Sequence, residues 1–177
     1  MTRRASLRLG IGALIALGII EIAICGPKSK AKQFVSPDKS LLANLLTAVS
    51  DKGTESKVEF RTSQGRLLGG KSFMSRDHEH GLGVIKAEWT LDSKYFVFST
   101  ISSGGHAPGN FPTFFYSRND NKLHLLDKLI GSPVTSPEFV LLFPDSVSLT
   151  VRARLPQGRF ADTLARTVCL SRLREKP

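Results

Sequence analysis

Residues 87–127 constrain the fold more than any other part of this chain. Within them, Glu88-Trp89-Thr90-Leu91-Asp92-Ser93-Lys94-Tyr95-Phe96-Val97-Phe98-Ser99 carries an alternating run up to the only tryptophan, turns at Asp92-Ser93, and leaves through aromatic and β-branched residues. Such side chains fit a pleated, half-buried surface, and Asp and Ser close turns by bonding nearby backbone. The glycine- and proline-rich residues 102–112 interrupt, and two further strand-like pieces follow at 113–117 and 122–126. The pattern predicts strand, turn, strand, loop, strand, paired antiparallel.

The same period of two recurs elsewhere. Residues 57–61 alternate, Gln64-Gly65-Arg66 forms a hairpin turn into Leu67-Leu68, and residues 83–89 alternate again. Residues 139–143 are a continuous apolar run short enough for a buried strand, and 147–155 alternate before a turn at Pro156-Gln157-Gly158. Residues 167–173 read as the returning strand, although Phe160, Leu164 and Val168 also stand at helical spacing. One segment departs from this pattern. Ser36-Pro37-Asp38 has the chemistry of a helix start, and Leu41, Leu42, Leu45, Leu46 and Val49 follow at helical spacing to a stop at Gly53. The expected fold is mainly β, an antiparallel sheet or small sandwich, with one N-terminal amphipathic helix covering a sheet face.

The first 25 residues read as an address. Arg3, Arg4 and Arg8 precede twelve residues, 9–20, made only of Leu, Ile, Ala and Gly. A basic start and an apolar core of this length form the pattern of an export signal. A spanning helix needs about 20 apolar residues, and Glu21 interrupts any extension of the run. The domain plan is therefore a signal or anchor over 1–25, a linker over 26–35 and one mainly-β domain over 36–177. Ile22-Ala23-Ile24-Cys25 resembles a bacterial lipoprotein box, which implies lipidation of Cys25, but Ile24 stands where that pattern has a small residue. Cleavage after Cys25 and retention of an uncleaved anchor are the other two ends. Export predicts a location in the periplasm, or tethered to a membrane and facing it, with membrane association through the N-terminus. Cys25 and Cys169 are too few for a disulfide framework, and Cys169 reads as a small packed hydrophobe.

Residues 89–99, with His124-Leu125-Leu126-Asp127 downstream, resemble one blade of a TolB-type (WD-like) β-propeller. The resemblance departs at Leu91 and Ser93, where that family has proline and glycine. Weaker echoes stand at Ser36-Pro37-Asp38 and Phe143-Pro144-Asp145, so that the three aspartates lie 54 and 53 residues apart. The resemblance implies blade-like hairpins, and it implies fold rather than activity.

The net charge is +10, of which Arg3, Arg4, Arg8 and Glu21 supply +2, leaving +8 after Cys25. That surplus points to an anionic envelope component, or to another envelope protein, as partner. The basic residues are spread along the chain rather than gathered in a block, which argues against nucleic acid. Asp77-His78-Glu79-His80 offers metal-ligand chemistry, with His106 as a third imidazole, and this supports the alternative reading of a metal-dependent hydrolase. The competing reading of residues 74–83 is a solvated polar loop. The long loop 102–112 is the expected binding surface, through His106, Asn110 and Phe111. No cofactor motif is present, and a binding role is expected over catalysis. Expression in a Gram-negative host is expected to place the protein outside the cytoplasm. Its intact mass then separates lipidated Cys25, a product starting at Gly26, and retained full-length chain.

Overall fold

The computed structural model describes residues 28–105, 107–154 and 160–173. Within them the chain forms three antiparallel meanders in sequence order. The first sheet is β1 (Lys28–Val35), β2 (Leu41–Ser50), β3 (Gly53–Thr62) and β4 (Leu67–Ser72). The second is β5 (Leu82–Trp89), β6 (Tyr95–Ser102), β7 (Thr113–Ser117) and β8 (Lys122–Leu125). A short helix α1 (Leu126–Ile130) leads to the third sheet, β9 (Val134–Leu142), β10 (Ser146–Arg154) and β11 (Phe160–Cys169), closed by a 3₁₀ turn (Leu170–Arg172).

The first two sheets open on one turn design. Ser36 Oγ donates to Asp38 Oδ1 at 2.7 Å and accepts the Leu41 amide at 3.0 Å; Thr90 Oγ1 donates to Asp92 Oδ1 at 2.7 Å and accepts the Tyr95 amide at 3.0 Å. Each aspartate also takes the amide two residues on, and the residue after it, Lys39 or Ser93, adopts the left-handed region at φ 59° or 62°. A short polar side chain that binds its own backbone stabilises such a turn. The third echo, at Asp145, uses its carboxylate differently, accepting Cys169 Sγ from across the sheet at 3.4 Å.

The second sheet lies between the other two. Phe96, Phe98, Phe114, Tyr116 and Trp89 on one face pack against Leu41, Ala43, Leu45, Val58, Phe60 and Phe73. Tyr95, Val97 and Phe115 on the other pack against Leu126, Ile130, Val134, Phe139, Val147, Leu149 and Val151. Every residue of β7, and β6 from Tyr95 to Thr100, is buried as a result.

Several expectations are corrected here. The helix expected after Ser36 is strand β2. Its Leu-Leu-Ala-Asn-Leu-Leu run satisfies helical spacing and two-residue alternation alike, and pairing with β3 selects the second: Leu41, Ala43 and Leu45 are buried beside Phe60 and Val58. Residues 28–35, read as linker, pair in full with β2 as strand β1. The run 139–143 is half-buried, with Phe139 inside while Val140 and Phe143 are 60% and 77% exposed. The propeller resemblance does not extend to the architecture, because the three sheets are separate and none closes. A turn motif fixes a hairpin, and any antiparallel meander can use that hairpin. The strand reading of β11 is the one observed. Residues 1–25, with Cys25, lie outside the described residues.

This strand order gives the molecule two unlike ends. Turns 36–40, 63–66, 90–94, 118–121 and 143–145, with the 3₁₀ turn, form a tight turn end. The opposite, loop end carries 51–52, 73–81 and 103–112 together with α1. Phe60 is 1% exposed and stacks on Tyr116 at 3.9 Å across the first seam. Phe60→Ala is expected to cost about 3–5 kcal/mol in denaturant unfolding. Phe143→Ser, at an exposed tip, should stay within about 0.5 kcal/mol of wild type.

Candidate functional site

The histidine motif and the long loop both fall at the loop end. There Glu55, on β3 and 1% exposed, accepts four hydrogen bonds: Ser75 N at 2.7 Å, Ser75 Oγ at 2.6 Å, Gly81 N at 2.7 Å and Ser103 Oγ at 2.9 Å. Burial opposes ionisation of this carboxyl, yet the Ser75 hydroxyl and amide, with Ser103 and Gly81, hold it below the ordinary carboxylate range. Glu55 thereby pins segment 73–81 onto the sheets. Gly81 is required beside it, since a Cβ there would lie 2.4 Å from the Glu55 carboxylate.

His78 and His80 do not converge. His78 Nδ1 lies 3.6 Å from Glu55 Oε2, buried and without a hydrogen-bond partner among the described residues, on a left-handed backbone at φ 56°. His80 Nδ1 lies 2.6 Å from Asp77 Oδ2. No group of three His, Cys, Asp or Glu among the described residues could hold a metal ion, and His106 lies outside them.

Loop 102–112 is anchored at its far end. Phe111, half-buried, donates its amide to Val134 O at 3.0 Å, and Thr100 Oγ1 donates to Pro112 O at 2.7 Å. Beside it the Asp127 carboxylate accepts the amides of Thr113 at 2.9 Å and Val134 at 3.0 Å, while burial pushes its carboxyl above the usual range. Asn110 is exposed and lines a shallow depression of about 340 Å³ with Pro112, Lys128 and Pro133.

The turn end is different. Two pockets flank turn 118–121. The larger, about 410 Å³, opens at the second seam, lined by Tyr95, Phe115, Asn119, Asp120, Lys122 and His124, with the 3₁₀ turn across from them. The His124 ring stacks on Phe115 at 5.0 Å, and its Nε2 lies 2.9 Å from Asp120 Oδ2. Burial disfavours the Asp120 charge, but the Lys122 amide and His124 together keep the carboxyl below its ordinary range. The second pocket, about 350 Å³, opens at the first seam between turns 63–66 and 118–121. Here Arg118 bonds Asp38, whose carboxyl the Ser36 hydroxyl above all holds far below the usual range. Asp38 N donates to Ser93 Oγ at 2.9 Å, so the two equivalent turns are clamped together across the seam.

Sequence reasoning named neither Glu55 nor this surface. Glu55 sits in an unremarkable strand, and the pocket residues look like ordinary turn chemistry until the meanders bring them side by side.

No family model matches the chain, and no curated protein matches it. One similar solved structure is from Clostridium novyi NT and is described as "a putative conserved lipoprotein". It aligns with a TM-score of 0.46 and 10% identity, covering 81% of this chain and 96% of that one. A likeness of that degree carries no argument about fold or function.

Replacing Glu55 by Gln puts an amide donor among four donors, and the expected loss is about 2 kcal/mol of unfolding free energy. A carboxyl depressed in the folded state stabilises above its ordinary value of 4.5 and loses that contribution as pH falls through the folded value. Wild-type stability should therefore drop below about pH 4.5, more steeply than that of Glu55→Gln, in urea titrations across that range.

Proposed function

We propose that this is an exported envelope protein, tethered to or soluble in the periplasm, that binds an anionic envelope component through its turn end. The observation that carries the reading is the charge placement there. Lys39, Arg66, Lys94, Arg118, Lys122 and Arg172 are all exposed at this end. Three of the acids beside them are engaged by backbone, since Asp38, Asp92 and Asp120 accept the amides of Ser40, Lys94 and Lys122. Arg118 pairs with Asp38 and Lys94 with Asp92, while Lys39, Arg66, Lys122 and Arg172 have no carboxylate partner among the described residues, and that surplus favours an anionic partner. Leu91 and Phe143, 69% and 77% exposed, add apolar tips to the same surface.

The direction of β1 supports the orientation. The strand opens at Lys28, three residues after Cys25, at the loop end, and its 8 residues run to the turn end. At about 3.3 Å per residue that is about 26 Å. A chain held in a membrane through Cys25 or the apolar run before it presents the loop end to that membrane and the turn end away from it.

Retention of the full chain on an acidic polysaccharide column, against a neutral one, tests this. Retention is expected on the acidic matrix and should vanish near 0.5 M salt, where screening shortens to about 4 Å. Lys39→Glu, Lys94→Glu and Lys122→Glu together should abolish it. The matched triple away from the turn end, Arg76→Glu, Lys128→Glu and Arg152→Glu, should leave it nearly intact. Equal loss from both triples would mean that only net charge matters, and would end the reading.

A further inference from the structure

We propose that the pocket between turns 63–66 and 118–121 is a binding site for a phosphate group, a tetrahedral oxyanion held between Arg66 and Arg118. The inference names a ligand class for the turn end and so rests on the reading above. Two arginines from different sheets line the pocket, Arg66 on the β3–β4 turn and Arg118 on the β7–β8 turn. No Asp or Glu lines it, whereas the neighbouring pocket contains Asp120. Lack of an acid in the wall selects anions over cations.

The donors are positioned by the fold. Arg118 gives one nitrogen, Nη1, to Asp38 Oδ2, and a guanidinium carries five N–H donors in a rigid fork. Asp38 is itself committed, its Oδ1 taken by the hydroxyls of Ser36 and Ser40 and the Ser40 amide. It therefore holds Arg118 in place and leaves the rest of the fork available. Asn121 Oδ1 accepts the Tyr116 hydroxyl at 2.7 Å, which leaves the Asn121 amide N–H groups as donors at the pocket wall. Arg66 has no carboxylate partner among the described residues, while its own amide is fixed by Thr62 Oγ1 at 3.2 Å. Ser63 and Gln64 add a hydroxyl and an amide from the same turn.

This donor set favours phosphate over carboxylate. A planar carboxylate offers two oxygens in one plane, which one fork can satisfy. Donors drawn from two separate turns, two of them guanidinium, suit a group with three or more acceptor oxygens pointing in different directions. Such a group occurs on soluble sugar phosphates, on phosphate-linked polymers and on lipid headgroups.

Calorimetric titration of the full chain at constant ionic strength tests the site, with inorganic phosphate, glycerol phosphate and acetate as ligands and phosphatidic acid vesicles as a separate arm. Inorganic phosphate is expected to bind saturably at one site, with acetate about tenfold weaker. Arg66→Ala should weaken phosphate binding about tenfold, with Arg66→Lys in between. Arg118→Lys should weaken it as well, with its fold checked by circular dichroism, and Arg76→Ala, at the loop end, should leave it unchanged. Vesicle binding lost with Arg66→Ala supports the site and admits headgroups as its source; phosphate binding without vesicle binding supports it and points to a soluble or polymeric phosphate. An affinity unchanged by Arg66→Ala, acetate binding as tightly as phosphate, or absence of saturable binding overturns the site. If phosphate fails while the acidic column still retains the protein, this pocket is wrong and the broader reading stands. Failure of both overturns both.

Discussion

The structure depends on the double burial of the second sheet. Side chains alternate along a strand, so β6 sends Phe96 and Phe98 to one seam and Tyr95 and Val97 to the other; β7 does the same with Phe114 and Tyr116 against Phe115. Neither face of this sheet can meet water without exposing aromatic surface. The first sheet therefore has to dock on one side and the third on the other. The ring contacts make the first seam specific as well as apolar: Phe60 stacks on Tyr116, Phe96 meets both Phe34 and Phe60 edge-on, and Phe73 meets Phe98 edge-on. Such pairs contribute about 0.5–1.5 kcal/mol each beyond area burial.

A second layer of order comes from the turns. In the first two sheets a Ser or Thr, an aspartate two residues on and a left-handed residue build the same hydrogen-bonded knot. The first knot then bonds the second through Ser93 and the β7–β8 turn through Arg118. Polar groups that close hairpins therefore also lock sheet to sheet at the rim, where the aromatic core ends. Asp38 and Asp92 also pair with Arg118 and Lys94, and the remaining cations of that end have no such partner among the described residues.

Much of the strand pattern was legible. Alternation located β3, β5 and β10, and the aromatic runs located β6 and β7, because burial on one or both faces writes itself directly into the sequence. Residues 41–46 misled because their leucines fit both periods, and only Phe60 and Val58, a dozen or more residues away, decide between them. The motif at residues 89–99 was a true signal for a turn and hairpin and a false one for the assembly, since assembly is set by packing between sheets. The histidines of 77–80 stood out by composition, yet the fold turns His78 toward Glu55 and leaves His80 with Asp77. The cations of the turn end are spaced far apart in sequence, at 39, 66, 94, 118, 122 and 172, and looked dispersed. Three meanders that return to the same end at every second strand gather them.

Trp89 lies at the first seam, with its indole N–H donated to Phe34 O at 3.1 Å and its ring 5.1 Å from Phe96. It is the sole tryptophan, and the second seam holds none. The emission of this protein is thus a one-sided reporter: it senses separation of the first sheet and is blind to loosening of the third. A fluorescence trace that stays flat while backbone dichroism changes would locate the earliest loss of order in the C-terminal meander.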